Sequence, residues 1–160
     1  MPSRYDKSDL KYDLSPVKLP KEEIANPLIR ILSDFNGSAV VTKPWGREII
    51  LSKNEGYTFK RIEIFKGFET SLQYHEKKGE TIIFISGVAR VVFEEPAKGL
   101  VCVDMHPGSI FEVVPPAIHR VIAVTDISYF EASTPDPNGL DVIRIRDGFK
   151  RKDGRIENEY

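Results

Sequence analysis

From Ser38 onward, apolar and polar residues alternate in short runs separated by turn-forming residues. The runs are SAVVTK, REIILS, YTFKRIEIF, ETSLQYH, ETIIFIS, VARVVFEE, LVCVD, SIFEVV, AIHRVIAV, ISYFEAS and DVIRIR; KNEG, KG, SG, PAKG, HPG and PDPNG lie between them. A period of two sends alternate side chains to opposite faces of a strand, and Gly, Pro and Asn supply the backbone conformations that tight turns need. So many short strands with no helical pattern between them predict an all-β fold, a single antiparallel β-barrel or jelly roll rather than an α/β sheet.

The period changes upstream. In NPLIRILSDFNG, Asn26 is placed to cap, Pro27 takes the first helical position, and Leu28, Ile31, Leu32 and Phe35 recur at i, i+3, i+4 and i+7. This predicts a short amphipathic helix ended by Asn36 and Gly37, its apolar stripe a docking face for the core. Residues 1 to 19 mix charges with Tyr5, Leu10, Tyr12, Leu14 and Val17 and hold no period, the pattern of an arm that orders only against another surface. Residues 1–37 are therefore expected to form an arm and short helix, and residues 38–160 one barrel domain, as suits a chain of 160 residues.

Composition narrows the function more than the fold. The 23 basic and 24 acidic side chains leave a net charge of −1, which gives neither nucleic acid nor an anionic membrane a basic surface to bind. No apolar run approaches a membrane-spanning length, and no charged segment followed by an apolar one opens the chain, so the cytoplasm is the expected location. Cys102 is the one cysteine and cannot form an internal disulfide.

Against this background the stretch SLQYHEKKGETIIFISG carries candidate chemistry. Gln73 and His75 are two apart and project from the same side of a strand, while Glu80 opens the next strand across the EKKG turn and can point back at them. Downstream, VVPPAIHRVIAV places His119 with Ala117, Val121 and Ala123 on the interior face and Arg120 on the other. One amide oxygen, two imidazoles and a carboxylate make a mixed nitrogen and oxygen set for a divalent ion. Zinc comes first, with iron, manganese, nickel or cobalt also suited.

The spacing itself resembles the cupin family, whose first motif, G(X)5HXH(X)3-4E(X)6G, is followed from Gly67 to Gly87 with Gln73 replacing the first histidine. The second motif is matched more loosely by Gly108 and PPAIH, with Pro116 where a glycine is usual and His119 as the ligand. The order KPWGREIIL, GYTFKRIEIFKG, SLQYH, IFISGVARV, VVPPAIHRV and DVIRIRD is similar to the cupin domain of type II phosphomannose isomerases over about residues 39 to 151. In that family too the first metal position is glutamine, and the closing YGR is here FKR.

The resemblance implies a metal-dependent cupin acting on a sugar or sugar phosphate, most similar to an aldose–ketose isomerase of the mannose-6-phosphate isomerase kind. Such chemistry needs a group to polarise the carbonyl, a base to move a proton between adjacent carbons and a cation to hold a phosphate. Arg144 matches an arginine of the family's closing segment and lies on a strand whose other face is apolar, so one face reads as basic. Glu131 in YFEAST occupies an acidic position of the family and is a candidate base, as is Lys60. Lys60 faces inward if Ile62 and Ile64 do, though Phe59 and Phe65 argue for the opposite face. Trp45 reads as a packing anchor and His106 as a turn residue. A cupin dioxygenase and a non-catalytic carbohydrate-binding cupin are the competing readings, because a fold does not fix its chemistry. The expected assembly is a homodimer, with strand edges and the N-terminal arm available for pairing.

Overall fold

The protein is described by a computed structural model that covers residues 37–151 and the backbone of 155–156. The expected N-terminal arm and helix lie outside the described residues apart from Gly37. Each alternating run is a strand: β1 Ala39–Lys43, β2 Gly46–Lys53, β3 Thr58–Ile64, β4 Leu72–Tyr74, β5 Glu80–Ser86, β6 Ala89–Glu95, β7 Gly99–Met105, β8 Ile110–Val113, β9 His119–Ala123, β10 Ile127–Ser133 and β11 Ile143–Arg146. A further two-residue strand, β12 Arg155–Ile156, pairs with β11. No α-helix occurs among the described residues, and none is long and apolar enough to cross a membrane.

The strands form two six-stranded sheets, ordered β1-β2-β3-β10-β5-β8 and β12-β11-β4-β9-β6-β7. The pairings are antiparallel, as expected of this fold class, except the two-residue β11–β12 pair, which runs parallel. One apolar cluster joins the sheets, with Ile62, Ile64, Ile82, Phe84, Ile127 and Tyr129 from the first facing Ala89, Val91, Val121 and Ala123 from the second. Burying each large side chain here stabilises the fold by about 1.5–3 kcal/mol, which makes this layer the main force holding the sheets together. Trp45, 4% exposed, packs into the same cluster as the PWG turn's anchor.

The interior is graded along its length. Four strands carry a polar residue, then an apolar one, then a second apolar one on the inward face: Lys60, Ile62, Ile64 on β3; Glu131, Tyr129, Ile127 on β10; Glu80, Ile82, Phe84 on β5; and His119, Val121, Ala123 on β9. Register aligns the first two series, Lys60 opposite Glu131 and Ile62 opposite Tyr129, while β5 is offset by one inward position, with Glu80 opposite Ser133, Ile82 opposite Glu131 and Phe84 opposite Tyr129. One end of the barrel is therefore sealed by hydrocarbon and the other is lined by ionisable groups.

Two local features depart from the sequence expectation. The EKKG segment closes no hairpin, because β4 and β5 belong to different sheets and residues 75–79 carry the chain across between them. Ala117 is exposed in the turn before β9, so the inward series begins at His119. The glycine ending the first motif is obligatory: Gly87 has φ of 78°, and a Cβ there would fall 2.0 Å from the Asp126 carbonyl oxygen.

Candidate metal centre and cavity

The polar end of the barrel encloses a cavity of about 270 Å³ lined from both sheets. All seven residues singled out from the sequence, Lys60, Gln73, His75, Glu80, His119, Glu131 and Arg144, line it.

At its floor His75, Glu80 and His119 converge, each offering a ligand atom within 4.8 Å of the others'. His75 Nε2 is 3.2 Å from Glu80 Oε1 and His119 Nε2 is 3.5 Å from Glu80 Oε2. The three side chains are 2–5% exposed. The opposite ring nitrogens are anchored to main-chain carbonyls, which can only accept: His75 Nδ1 donates to Asp141 O at 2.6 Å and His119 Nδ1 to Ala117 O at 3.0 Å. In the neutral imidazoles each Nε2 therefore presents a lone pair toward a carboxylate oxygen, an arrangement that calls for a cation between them. His75 Nε2 is buried and makes no hydrogen bond. Orientation of a ligating imidazole by a carbonyl behind it is the usual support of a metal site, and the residues present fit a divalent ion.

Electrostatics support the same reading. Burial works against the charge of Glu80, but the adjoining His119 and His75 imidazoles and the nearby Lys78 ammonium outweigh it and hold the carboxyl well below its usual range. For His119 burial is likewise opposed, and exceeded, by the hydrogen bond and charge of Glu80, which raise its proton affinity.

Gln73 is the direct cross-strand partner of both His119 and Arg144. Its Oε1 accepts from Ser71 Oγ at 2.5 Å, so its amide is held beside the histidine pair.

The two-faced reading of β3 resolves inward for Lys60. Ile62 and Ile64 are buried, Phe65 is exposed, and Phe59 stacks on Phe130 on the outer face at 5.4 Å. Lys60 Nζ lies 3.2 Å from Glu48 Oε2, in the cavity wall. Glu131 is 6% exposed, and burial, reinforced by the charge of Glu80, pushes its carboxyl up to about 7 against the pull of Lys78 and Lys60. Arg144 is 5% exposed, so it is not a solvated charge on an outer face. The expected basic face does not extend further, because the β11–β4 register shifts between Arg144 and Arg146 and Arg146 emerges exposed.

Sequence reasoning missed two contributors. Asp141, just before β11, clamps the crossing segment: its carboxylate accepts the main-chain N–H groups of Glu76 at 3.1 Å, Lys77 at 2.9 Å and Lys78 at 2.7 Å. Lys78 then reaches back to Glu80 Oε1 at 2.7 Å. The Asp141 clamp would have been found only by knowing that residues some sixty positions apart meet here.

Comparison with known proteins places this arrangement. The family model described as mannose-6-phosphate isomerase C-terminal matches residues 33–127, more than half of the chain. A Vibrio cholerae protein carrying the name of a mannose-1-phosphate guanylyltransferase is 36% identical over 56 residues, 35% of this chain and 12% of that protein. Among solved structures, the capsular polysaccharide assembling protein CapF from Staphylococcus aureus matches with TM-score 0.60 and 14% identity over 69% of this chain and 34% of its own. An RmlC-like cupin from Shewanella frigidimarina matches with TM-score 0.58 and 18% identity over 66% of this chain and 91% of its own. Bacillus subtilis oxalate decarboxylase, described for its Mn(II) centres, gives 0.55 and 15% over 64% and 29%. At these identities the structural matches establish the cupin fold alone, and the chain spans well under two thirds of the guanylyltransferase-named relative and of CapF.

Proposed function

This chain belongs to the mannose-6-phosphate isomerase C-terminal family, and on that premise we propose that it is a metal-dependent aldose–ketose isomerase acting on a sugar phosphate. The observation that carries the reading is the pair of Nε2 atoms aimed at one carboxylate, at 3.2 and 3.5 Å, inside a cavity that also holds a carboxyl poised near neutrality and a buried arginine. Gln73 is the proposed fourth ligand, neutral and positioned opposite His119.

When bound, a divalent ion supplies Lewis acidity toward the carbonyl and hydroxyl oxygens of the open-chain sugar. The chain's own residues do the rest. Glu131, with a proton affinity near the working pH, takes the proton from C2 and returns it to C1 while the hydroxyl proton passes from O2 to O1. Lys60, directly across the β3–β10 ladder from Glu131, is the other residue placed to move it. Arg144 holds the phosphate, its planar guanidinium suited to two oxygens at once. His75, Glu80, His119, Glu131 and Arg144 are all buried, so these interactions are shielded from bulk water, which strengthens them.

The test is conversion of a panel of hexose and pentose phosphates by the metal-loaded full chain, with oxygen uptake followed in parallel. Ketose formation from one of them, abolished in His75→Ala, is the expected result. Oxygen consumption with a non-sugar substrate and no ketose from any member of the panel would replace this reading with the dioxygenase. Binding of a sugar phosphate without conversion or oxygen uptake would favour a carbohydrate-binding cupin.

A further inference from the structure

Among the described residues, Lys78 is the one cation close to the Glu80 carboxylate that the isomerase reading leaves without a task. Its own N–H is fixed by Asp141 at 2.7 Å, so the base of the side chain is anchored. The side chain is 13% exposed, with Nζ 2.7 Å from Glu80 Oε1 and 4.0 Å from Glu131 Oε1. Glu80 Oε1 is the same oxygen that lies 3.2 Å from His75 Nε2. An ion held by His75 and Glu80 Oε1 would therefore contest that oxygen with the Lys78 ammonium.

Glu131 Oε1 offers the alternative. It is buried without a hydrogen-bond partner and lies within a short swing of the ammonium. Lysine carries a compact charge on a four-carbon stem with freely rotating donors, so exchange between two carboxylates needs only side-chain rotation. A guanidinium at this place would be held by its planar fork instead.

From this geometry we infer that Lys78 is an internal counter-cation that competes with the divalent ion for Glu80 and moves to Glu131 when the ion binds. It is a positioning residue: it sets metal affinity and links occupancy of the centre to the ion pairing of Glu131. This rests on the metal reading proposed above. Without an ion, Lys78 keeps the buried carboxylate of Glu80 compensated, which lets the empty barrel fold despite the cost of an unpaired internal charge. With an ion, the displaced ammonium gains Glu131 as its partner.

The experiment is titration of Zn²⁺, and separately Mn²⁺, into the chelator-stripped full chain by competition with a metal indicator. Removing the competitor in Lys78→Met should tighten binding by about tenfold or more, equivalent to about 1.4 kcal/mol, while Lys78→Arg, whose fork stays on Glu80, should bind the ion more weakly than the wild type. Glu131→Gln, which removes the charge that receives the displaced ammonium, should weaken binding, and it carries the test if Lys78→Met does not fold. Unchanged or weaker binding in Lys78→Met, or unchanged binding in Glu131→Gln, overturns the inference while leaving the metal centre standing. Absence of stoichiometric binding by wild type and Lys78→Met alike overturns both.

Discussion

Gln73 and His119 are direct cross-strand partners at the β4–β9 contact. The amide thus enters the cavity beside the second imidazole, although 46 positions of sequence, from 73 to 119, separate the two. This pairing brings residues of two separate motifs together, and it ranks the proposed ligands. An amide oxygen is neutral and already accepts from Ser71 Oγ. Gln73→Leu should weaken metal binding by about 10- to 100-fold, the range of lost supporting or weak ligands. His119→Ala should cost more, and both are read by competition with a chelator of known affinity.

Arg144 gives a prediction that separates the phosphate from the sugar. Losing one charged contact to a phosphate costs about 1.5–3 kcal/mol, so Arg144→Ala should raise KM for phosphorylated substrates roughly tenfold to more than a hundredfold. An unphosphorylated sugar should respond little. Equal losses on both would assign Arg144 to the architecture of β11 and not to substrate.

Glu131 makes stability depend on pH in a definite direction. Its carboxyl titrates at about 7 in the folded chain against an ordinary 4.5, chiefly because it is buried. Between these values the folded chain holds a proton that the unfolded chain has lost, so stability falls as pH rises through the window and the full cost is present above about pH 7. In the chelator-treated protein, Glu131→Gln should remove this fall. Its melting temperature relative to wild type should be higher at pH 8 than at pH 5, by several degrees. An identical difference at both values would mean that Glu131 is not titrating in this window.

Much of this molecule is written locally and some of it is not. Strand positions were legible because each inward face repeats every two residues, and Gln73, His75, Glu80 and His119 were legible because motif spacing survives any rearrangement of the sheets. Lys60 was ambiguous because β3 is apolar on both faces, its outer Phe59 being satisfied by Phe130 from β10. Nothing in EKKG distinguishes a hairpin from a crossing between sheets, and what decides it is the Asp141 carboxylate gathering three N–H groups from far along the chain. The outward turn of Arg146 follows from a register shift against β4 that strict alternation cannot anticipate. Lys78 escaped notice for the same reason as Asp141: its importance lies in what folds over it.

Proton exchange at C2 tests the central claim most directly, since it reports the first chemical step whether or not ketose accumulates. The metal-loaded full chain in D₂O, incubated with mannose 6-phosphate and a panel of other aldose phosphates, should replace the C2 hydrogen with deuterium for at least one of them. The exchange should vanish in His75→Ala and be strongly reduced in Glu131→Gln. Retention of the C2 hydrogen in every member of the panel, by protein shown to carry one metal ion per chain, would contradict the account.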